Sequence, residues 1–240
     1  ALAARGVDLA RRVAFVAGHS LGEYSALAAA GCLSVADTAR LLRTRGLAMQ
    51  AAVPVGEGAM CALLGVGVEV ARRLAAEAAA GDVCQVANDN DPGQVVLSGS
   101  KRAIDRAVTL SKGHGVRRAV LLDVSAPFHS ALMQPAAEVM AKALAEVTIR
   151  VPAVPLVANV VAAPISDPED IRRRLVEQVT GTVRWRDCVL RMAADGVTDT
   201  YEIGAGKVLS GLAKRIVGSL VTYSVGTPEE VDAAARQLAG

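Results

Sequence analysis

The chain has 240 residues, with 26 Lys plus Arg against 24 Asp plus Glu for a formal charge of +2, so it has room for one large domain or two modest ones. That balance, with three Tyr, two Phe and one Trp in all, leaves no electrostatic or stacking case for nucleic acid. No apolar run reaches the ~18 residues of a membrane span, and four scattered cysteines without a Cys-x-x-Cys pair argue against a zinc site or disulfide framework and fit a reducing cytosol.

In chain order, Val13 to Ala17 is a short apolar run that reads as a buried strand. A helix follows from about Leu21 to Ala30, with Gly31 as its stop. The next helix runs from about Val35 to Ala51, capped by Ser34 with Asp37 three residues on. Val53 to Gly58 reads as a linker. Beyond it come a strand (60–64), a helix (68–80), a strand (83–87) and an Asn-Asp-Pro-Gly turn. A strand (94–98), a helix (102–112) and a strand (117–122) complete a β-α-β-β-α-β order. After Pro127 a helix spans about 134–146 and a strand 154–159. Asp167-Pro168-Glu169-Asp170 starts a helix that runs to about Val179 and stops at Gly181. A helix (188–194), a strand (198–203), a last strand (220–224) and a tail helix from Pro228 finish the chain.

The strongest chemical signal is Gly18-His19-Ser20-Leu21-Gly22, a Gly-x-Ser-x-Gly between a strand and a helix. A sharp turn there exposes the serine hydroxyl, the glycines relieve crowding, and the helix N-terminus faces a developing oxyanion. Its plain alternative is a Gly-rich turn with a capping serine. Of three histidines, His19 adjoins the serine and should point away, and His114 lies between glycines in an exposed loop. His129, after Ala126-Pro127-Phe128 where the chain leaves the βαββαβ unit, is the base by elimination. Arg45 falls on the apolar stripe of its helix with Leu41 and Met49. A cation there needs an anion, either an internal carboxylate or a carboxylated substrate held by the guanidinium fork. Gly204-Ala205-Gly206-Lys207 is no P-loop, because Tyr201 replaces its first glycine and Val208 its Ser or Thr.

Five segments together resemble one family, the malonyl-CoA:acyl carrier protein transacylases of bacterial fatty acid synthesis. They are Gly18 to Leu27, Thr44 to Gln50, Ala87 to Gly99, Val124 to His129, and Tyr201 to Leu209, in order and spanning the chain. The resemblance implies an α/β fold: an α/β-hydrolase-like parallel-sheet core (1–57 and 126–240) with an inserted ferredoxin-like subdomain (58–125). It also implies roles. Ser20 carries the malonyl ester and His129 serves as base, then acid. The backbone carbonyl of Gln178 orients the imidazole, and the N–H of Leu21 stabilises the oxyanion. Arg45 binds the malonyl carboxylate, while Asn90 and Val208 line the acyl and pantetheine channel. No metal or cofactor is implied beyond the two substrates, malonyl-CoA and phosphopantetheinylated acyl carrier protein. A cytoplasmic monomer is expected, with Lys207, Lys214 and Arg215 near the edge that meets the acidic carrier protein.

The family opens with a strand and a Gly-Gln-Gly-x-Gln loop that nothing here matches, so the expectation is that the first part of the core precedes Ala1. Three other readings compete: an acyltransferase domain of a polyketide synthase, a serine hydrolase, and a non-catalytic carrier-protein-binding scaffold. The hydrolase order Ser, Asp/Glu, His wants a late histidine, and none follows His129.

Overall fold

A computed structural model describes residues 1–239. A short helix α1 (Leu9–Arg12) leads to the segment around Val16. Here the expected strand reduces to one parallel bridge to Leu156, made by Val16 N–H to the Pro155 carbonyl (3.0 Å) and Val157 N–H to the Val16 carbonyl (2.9 Å). The run is also only partly buried, with Ala14 exposed, because it has a single neighbour to pair with. Helix α2 (Gly22–Ala29) ends where Gly31 turns left-handed, and α3 (Val35–Ala51) begins with the Ser34 hydroxyl accepting from the Asp37 amide. The buried positions of α3 are Thr38, Leu41, Arg45 and Met49, one stripe at helical spacing, whereas Arg43 is exposed.

The middle of the chain forms an antiparallel sheet. Strands β1 (Gly58–Leu64), β2 (Cys84–Asp91), β3 (Gln94–Ser100) and β4 (Arg118–Leu121) lie in the order β2-β3-β1-β4. Helices α4 (Val68–Ala79) and α5 (Lys101–Leu110) bury their apolar faces with Leu63, Leu74, Leu97 and Ile104 in a cluster of their own. The other face of the sheet holds Met60, Ala62, Ala87 and Val96, against which Phe128 packs.

The Asn-Asp segment expected as a turn is strand as far as Asp91, and only Pro92-Gly93 turns. Register shifts at Val86/Asn88 and Asp89/Asp91 mark bulges in β2. Along this stretch Val183 N–H donates to the Ala87 carbonyl (2.8 Å) and Asp89 N–H to the Val183 carbonyl (2.9 Å). The middle sheet is thereby stitched to the later half of the chain.

That half continues with α6 (Gln134–Ala145), β5 (Leu156–Ala158), β6 (Ala163–Ile165) and α7 (Pro168–Thr180). It ends with α8 (Trp185–Ala194), β7 (Asp199–Ile203), α9 (Val208–Ile216), β8 (Val221–Val225) and α10 (Pro228–Ala239). Asp167 caps α7 with Pro168 in its first turn, as its sequence predicts. α8 starts three residues earlier than expected because no side-chain cap announces it. β6 carries Pro164, which hides it from a strand pattern. α9 is concealed by Gly204, Gly206 and Gly211; its first amides, Leu209 and Ser210, instead find the carboxylate of Glu202 at 3.1 and 2.7 Å. β5 pairs antiparallel with β6, and β7 pairs parallel with β8.

Helices α2, α3, α6 and α7 enclose one core, with Tyr24, Leu41, Met140 and Leu175 in it. Val157, Trp185, Cys188 and Leu212 form another with Phe15. The four cysteines are free and buried. No helix among the described residues is long and apolar enough to cross a membrane.

Candidate active site

Ser20 sits at the turn before α2 with φ +52°, a left-handed conformation that a non-glycine residue rarely holds without cause. Gly18 makes the turn possible: a Cβ there would lie 2.0 Å from the backbone carbon of Gly22. Gly22 itself has open space around it, so the expected relief of crowding belongs to the first glycine and not to both. His129 is the second residue of this kind, with φ +56°. Its imidazole is buried, yet Nε2 reaches the Ser20 hydroxyl at 2.8 Å.

The histidine tautomer follows from its other neighbour. Nδ1 lies 2.8 Å from the backbone carbonyl of Gln178, which can only accept. Nδ1 therefore carries the proton, Nε2 is bare, and the Ser20 hydroxyl donates to it. Burial and the Arg45 charge push the His129 pKa down from 6.5 to about 3, against the opposing pull of the Gln178 carbonyl. The imidazole is a neutral base at ordinary pH.

Arg45 approaches from α3. One guanidinium nitrogen donates to Ser20 Oγ (3.0 Å) and to Gln178 Oε1 (3.1 Å). The group is buried beside the Tyr24 ring, whose centroid is 5.9 Å away, and its Nε has no partner. No ion pair to an internal carboxylate is formed by Arg45 among the described residues. Of the two readings of this buried cation, a salt bridge to an internal carboxylate is not what these contacts show.

Two residues that sequence reasoning missed sit beneath the serine. Asn159, after β5, accepts from the Ser20 amide through Oδ1 (2.8 Å) and donates to the Gly18 carbonyl through Nδ2 (2.8 Å). Glu23, buried in the first turn of α2, accepts from the Asn159 amide (2.5 Å) and from the Gln178 side-chain amide. Burial pushes its carboxyl up to about 8, opposed by these two donors and by Arg45. A first-turn glutamate usually signals an exposed dipole partner, so nothing local in the sequence announces this burial.

Leu21 begins the turn of α2, and the next amide, Gly22, already bonds back to the His19 carbonyl (2.9 Å). Asn90, on β2, meets His19 Nε2 through Oδ1 (2.9 Å), and His19 in turn lies against Trp185. His19 thus points away from Ser20, as expected. Val208 opens α9 and is exposed; its helix is held to the strand of Asn90 by Arg215 and Asp91 at 2.6 Å. Among the described residues neither Asn90 nor Val208 is hydrogen-bonded to Ser20 or His129. Arg215, expected near the edge that meets carrier protein, stays half exposed while it makes its pair with Asp91. His114 is also less exposed than expected, because it bonds Glu77 at 2.7 Å. Among the described residues, no cluster of three or more His, Cys, Asp or Glu could hold a metal ion.

Comparison with known proteins gives this geometry a family. The family model described as "Acyl transferase domain" matches residues 2–218. The malonyl CoA-acyl carrier protein transacylase of Bacillus subtilis is 44% identical over 225 residues, 93% of this chain and 71% of that protein. The crystal structure of an acyl-carrier-protein-S-malonyltransferase from Bartonella henselae superposes with a TM-score of 0.97 at 54% identity, over 100% of this chain and 76% of that one. A malonyl-transacylase solved in complex with its type II PKS acyl-carrier protein gives 0.94 at 40% identity, over 98% and 75%. On a match that runs through nearly all of its residues, the chain belongs to the acyl transferase domain family, among the malonyl-CoA:acyl carrier protein transacylases.

Proposed function

We propose that this chain moves a malonyl group from malonyl-CoA to the phosphopantetheine thiol of acyl carrier protein, through an ester on Ser20, for fatty acid biosynthesis. One observation carries the reading: the Ser20 hydroxyl lies between a bare imidazole nitrogen at 2.8 Å and a buried guanidinium at 3.0 Å.

In the first half, His129 Nε2 takes the hydroxyl proton as Oγ adds to the thioester carbonyl. The tetrahedral oxyanion faces the Leu21 amide at the start of α2. The C–S bond then breaks, and His129 returns the proton to the coenzyme A sulfur. In the second half the carrier-protein thiol gives its proton to His129, its sulfur attacks the ester carbonyl, and Ser20 leaves with that proton. The Gln178 carbonyl keeps Nδ1–H fixed throughout, so the ring neither rotates nor changes tautomer. Arg45 selects a carboxylated acyl group, because an acetyl group would leave its buried charge unpaired. Asn90 and Val208 line the way in for the acyl chain and pantetheine.

The architecture supports a finer reading. The β2-β3-β1-β4 order with two helices on one face supports reading residues 58–125 as a ferredoxin-like subdomain. Residues 1–57 and 126–240 make an α/β-hydrolase-like core around the serine turn. The chemistry needs the malonyl thioester of coenzyme A, the carrier-protein thiol and no cofactor, and we assign it to a cytoplasmic monomer. Incubation with labelled malonyl-CoA, followed by phosphopantetheinylated carrier protein, tests the function. Label retained on the chain and then passed to the carrier thiol is the expected result. Release of free malonate would identify a hydrolase, and absence of label a scaffold.

A further inference from the structure

Gln178 has a second set of contacts besides the backbone carbonyl that serves His129. Its side chain donates to the Ser20 carbonyl (3.0 Å) and to Glu23, and accepts from Arg45 (3.1 Å). Each polar atom of that amide is therefore spent, and the amide can point only one way. Two acceptors on the Nε2 side fix the direction, the Ser20 carbonyl and Glu23. With Glu23 ionised, at a pH above about 8, both of its oxygens accept, one from a backbone N–H of Asn159 that cannot turn, the other from Gln178 Nε2. With Nε2 held toward Glu23, Oε1 must face Arg45. Glu23, Gln178 and Asn159 are all buried at 1% exposure or less, so no water substitutes for a lost partner.

We propose that Glu23 is a positioning residue for substrate choice: through the Gln178 amide it sets the guanidinium of Arg45 and hence the preference for a carboxylated acyl group. The inference rests on the function proposed above. Glu23 touches no reacting atom; it acts through the orientation of Gln178.

The substitution Glu23→Gln keeps size and shape but exchanges one acceptor for a donor. The Asn159 amide keeps the oxygen of the substituted side chain, so the new NH₂ faces Gln178. Gln178 can then no longer satisfy both neighbours. Unflipped it sets two NH₂ groups against each other; flipped it turns Oε1 onto the Ser20 carbonyl and its NH₂ onto Arg45. In either case the acceptor that faces Arg45 is no longer held. Loading of malonyl and acetyl groups from their coenzyme A thioesters is compared at pH 9, where Glu23 is ionised, and read as acyl-protein mass, beside a thermal melt. The malonyl-to-acetyl ratio is expected to fall about tenfold or more, the scale of a lost hydrogen bond to a charged group.

Gln178→Met, which keeps the backbone carbonyl and removes the amide, should lower the ratio similarly and carries the test if Glu23→Gln does not fold. Combining the two changes should lower it no further than either alone. A merely structural glutamate would lower the melting point or both loadings alike, leaving the ratio within about twofold of the parent; that outcome overturns the inference. Arg45→Ala is the separating control. If it removes the preference while Glu23→Gln and Gln178→Met do not, the inference fails and the proposed function stands. If Arg45→Ala leaves the preference intact, the function of Arg45 fails and the inference falls with it.

Discussion

His129 carries the sharpest consequence at the scale of single residues. Burial and the neighbouring Arg45 and His19 charges lower its pKa from 6.5 to about 3, while bonds to Gln178 and Gly181 resist. Serine acylation should therefore show no acid limb near 6.5; measured from pH 7 down to 5, its rate is expected to hold, and a half-loss near 6.5 would contradict the burial argument. The same shift bears on stability. Because the folded pKa lies below the unfolded one, the unfolded chain takes the proton first, and stability drains as pH falls from 6.5 towards 3. At pH 5 the loss from this one group is about 2 kcal/mol. Comparing urea midpoints at pH 7 and 5 for the parent and His129→Ala reads it as the difference in slope.

Ser20, His129 and Arg45 were legible in the sequence because each sits in a local pattern: a strand–turn–helix, an X-Pro approach and an apolar stripe. Glu23 and Asn159 were not, since the partners of Glu23 lie 136 and 155 residues away and no local pattern encodes a burial made by contacts of that separation.

At the scale of elements, two of the four described non-glycine residues with positive φ belong to the site, the others being Ala80 and Ala162. Both Ser20 and His129 adopt positive φ, and each is fixed from outside its own segment, Ser20 by Asn159 and His129 by Gln178. The two glycines of the serine turn make a clean contrast. A methyl at Gly18 would collide with the Gly22 backbone at 2.0 Å, whereas one at Gly22 meets nothing within 4 Å. Gly18→Ala is expected to lower the melting temperature and to abolish acylation, while Gly22→Ala should keep the parent melting temperature. Equal melting behaviour of the two variants would contradict this account of the turn.

Helix α3 and the Ser34 cap stand in the fold as the sequence predicts them, because cap and stripe are local. Strand β2 runs further than its sequence suggests, because pairing with β3 as far as Asp91 and the bridge to Val183 are tertiary gains that override the turn preference of Asn and Asp.

At the scale of the whole molecule, the site depends on how the middle sheet is hung. The chain enters β1 at Gly58 and returns through Pro127, and these two positions touch: a Cβ at Gly58 would lie 2.4 Å from the Pro127 ring. Pro127 is two residues from His129, and Phe128 packs on the sheet beside Met60 and Ala87. Gly58→Ala should push the proline ring, and with it the base, away from Ser20. The expected effect is a fall in kcat for acylation larger than any change in the KM for malonyl-CoA, with the far-UV spectrum retained. An unchanged kcat would show that His129 is held independently of the joint.

The broad order of elements was legible, since the β-α-β-β-α-β rhythm is written in apolar periodicity. The strand expected near Val16 is an over-reading, because a strand exists only where neighbours pair with it, and there Leu156 alone does.

The central claim is that Ser20 forms the acyl intermediate. Intact-protein mass after exposure to malonyl-CoA, with peptide mapping of the adduct, tests it most directly. The account predicts one malonyl group on the peptide bearing Ser20 and none on the Ser20→Ala variant; an adduct that persists in that variant, or maps elsewhere, would contradict it.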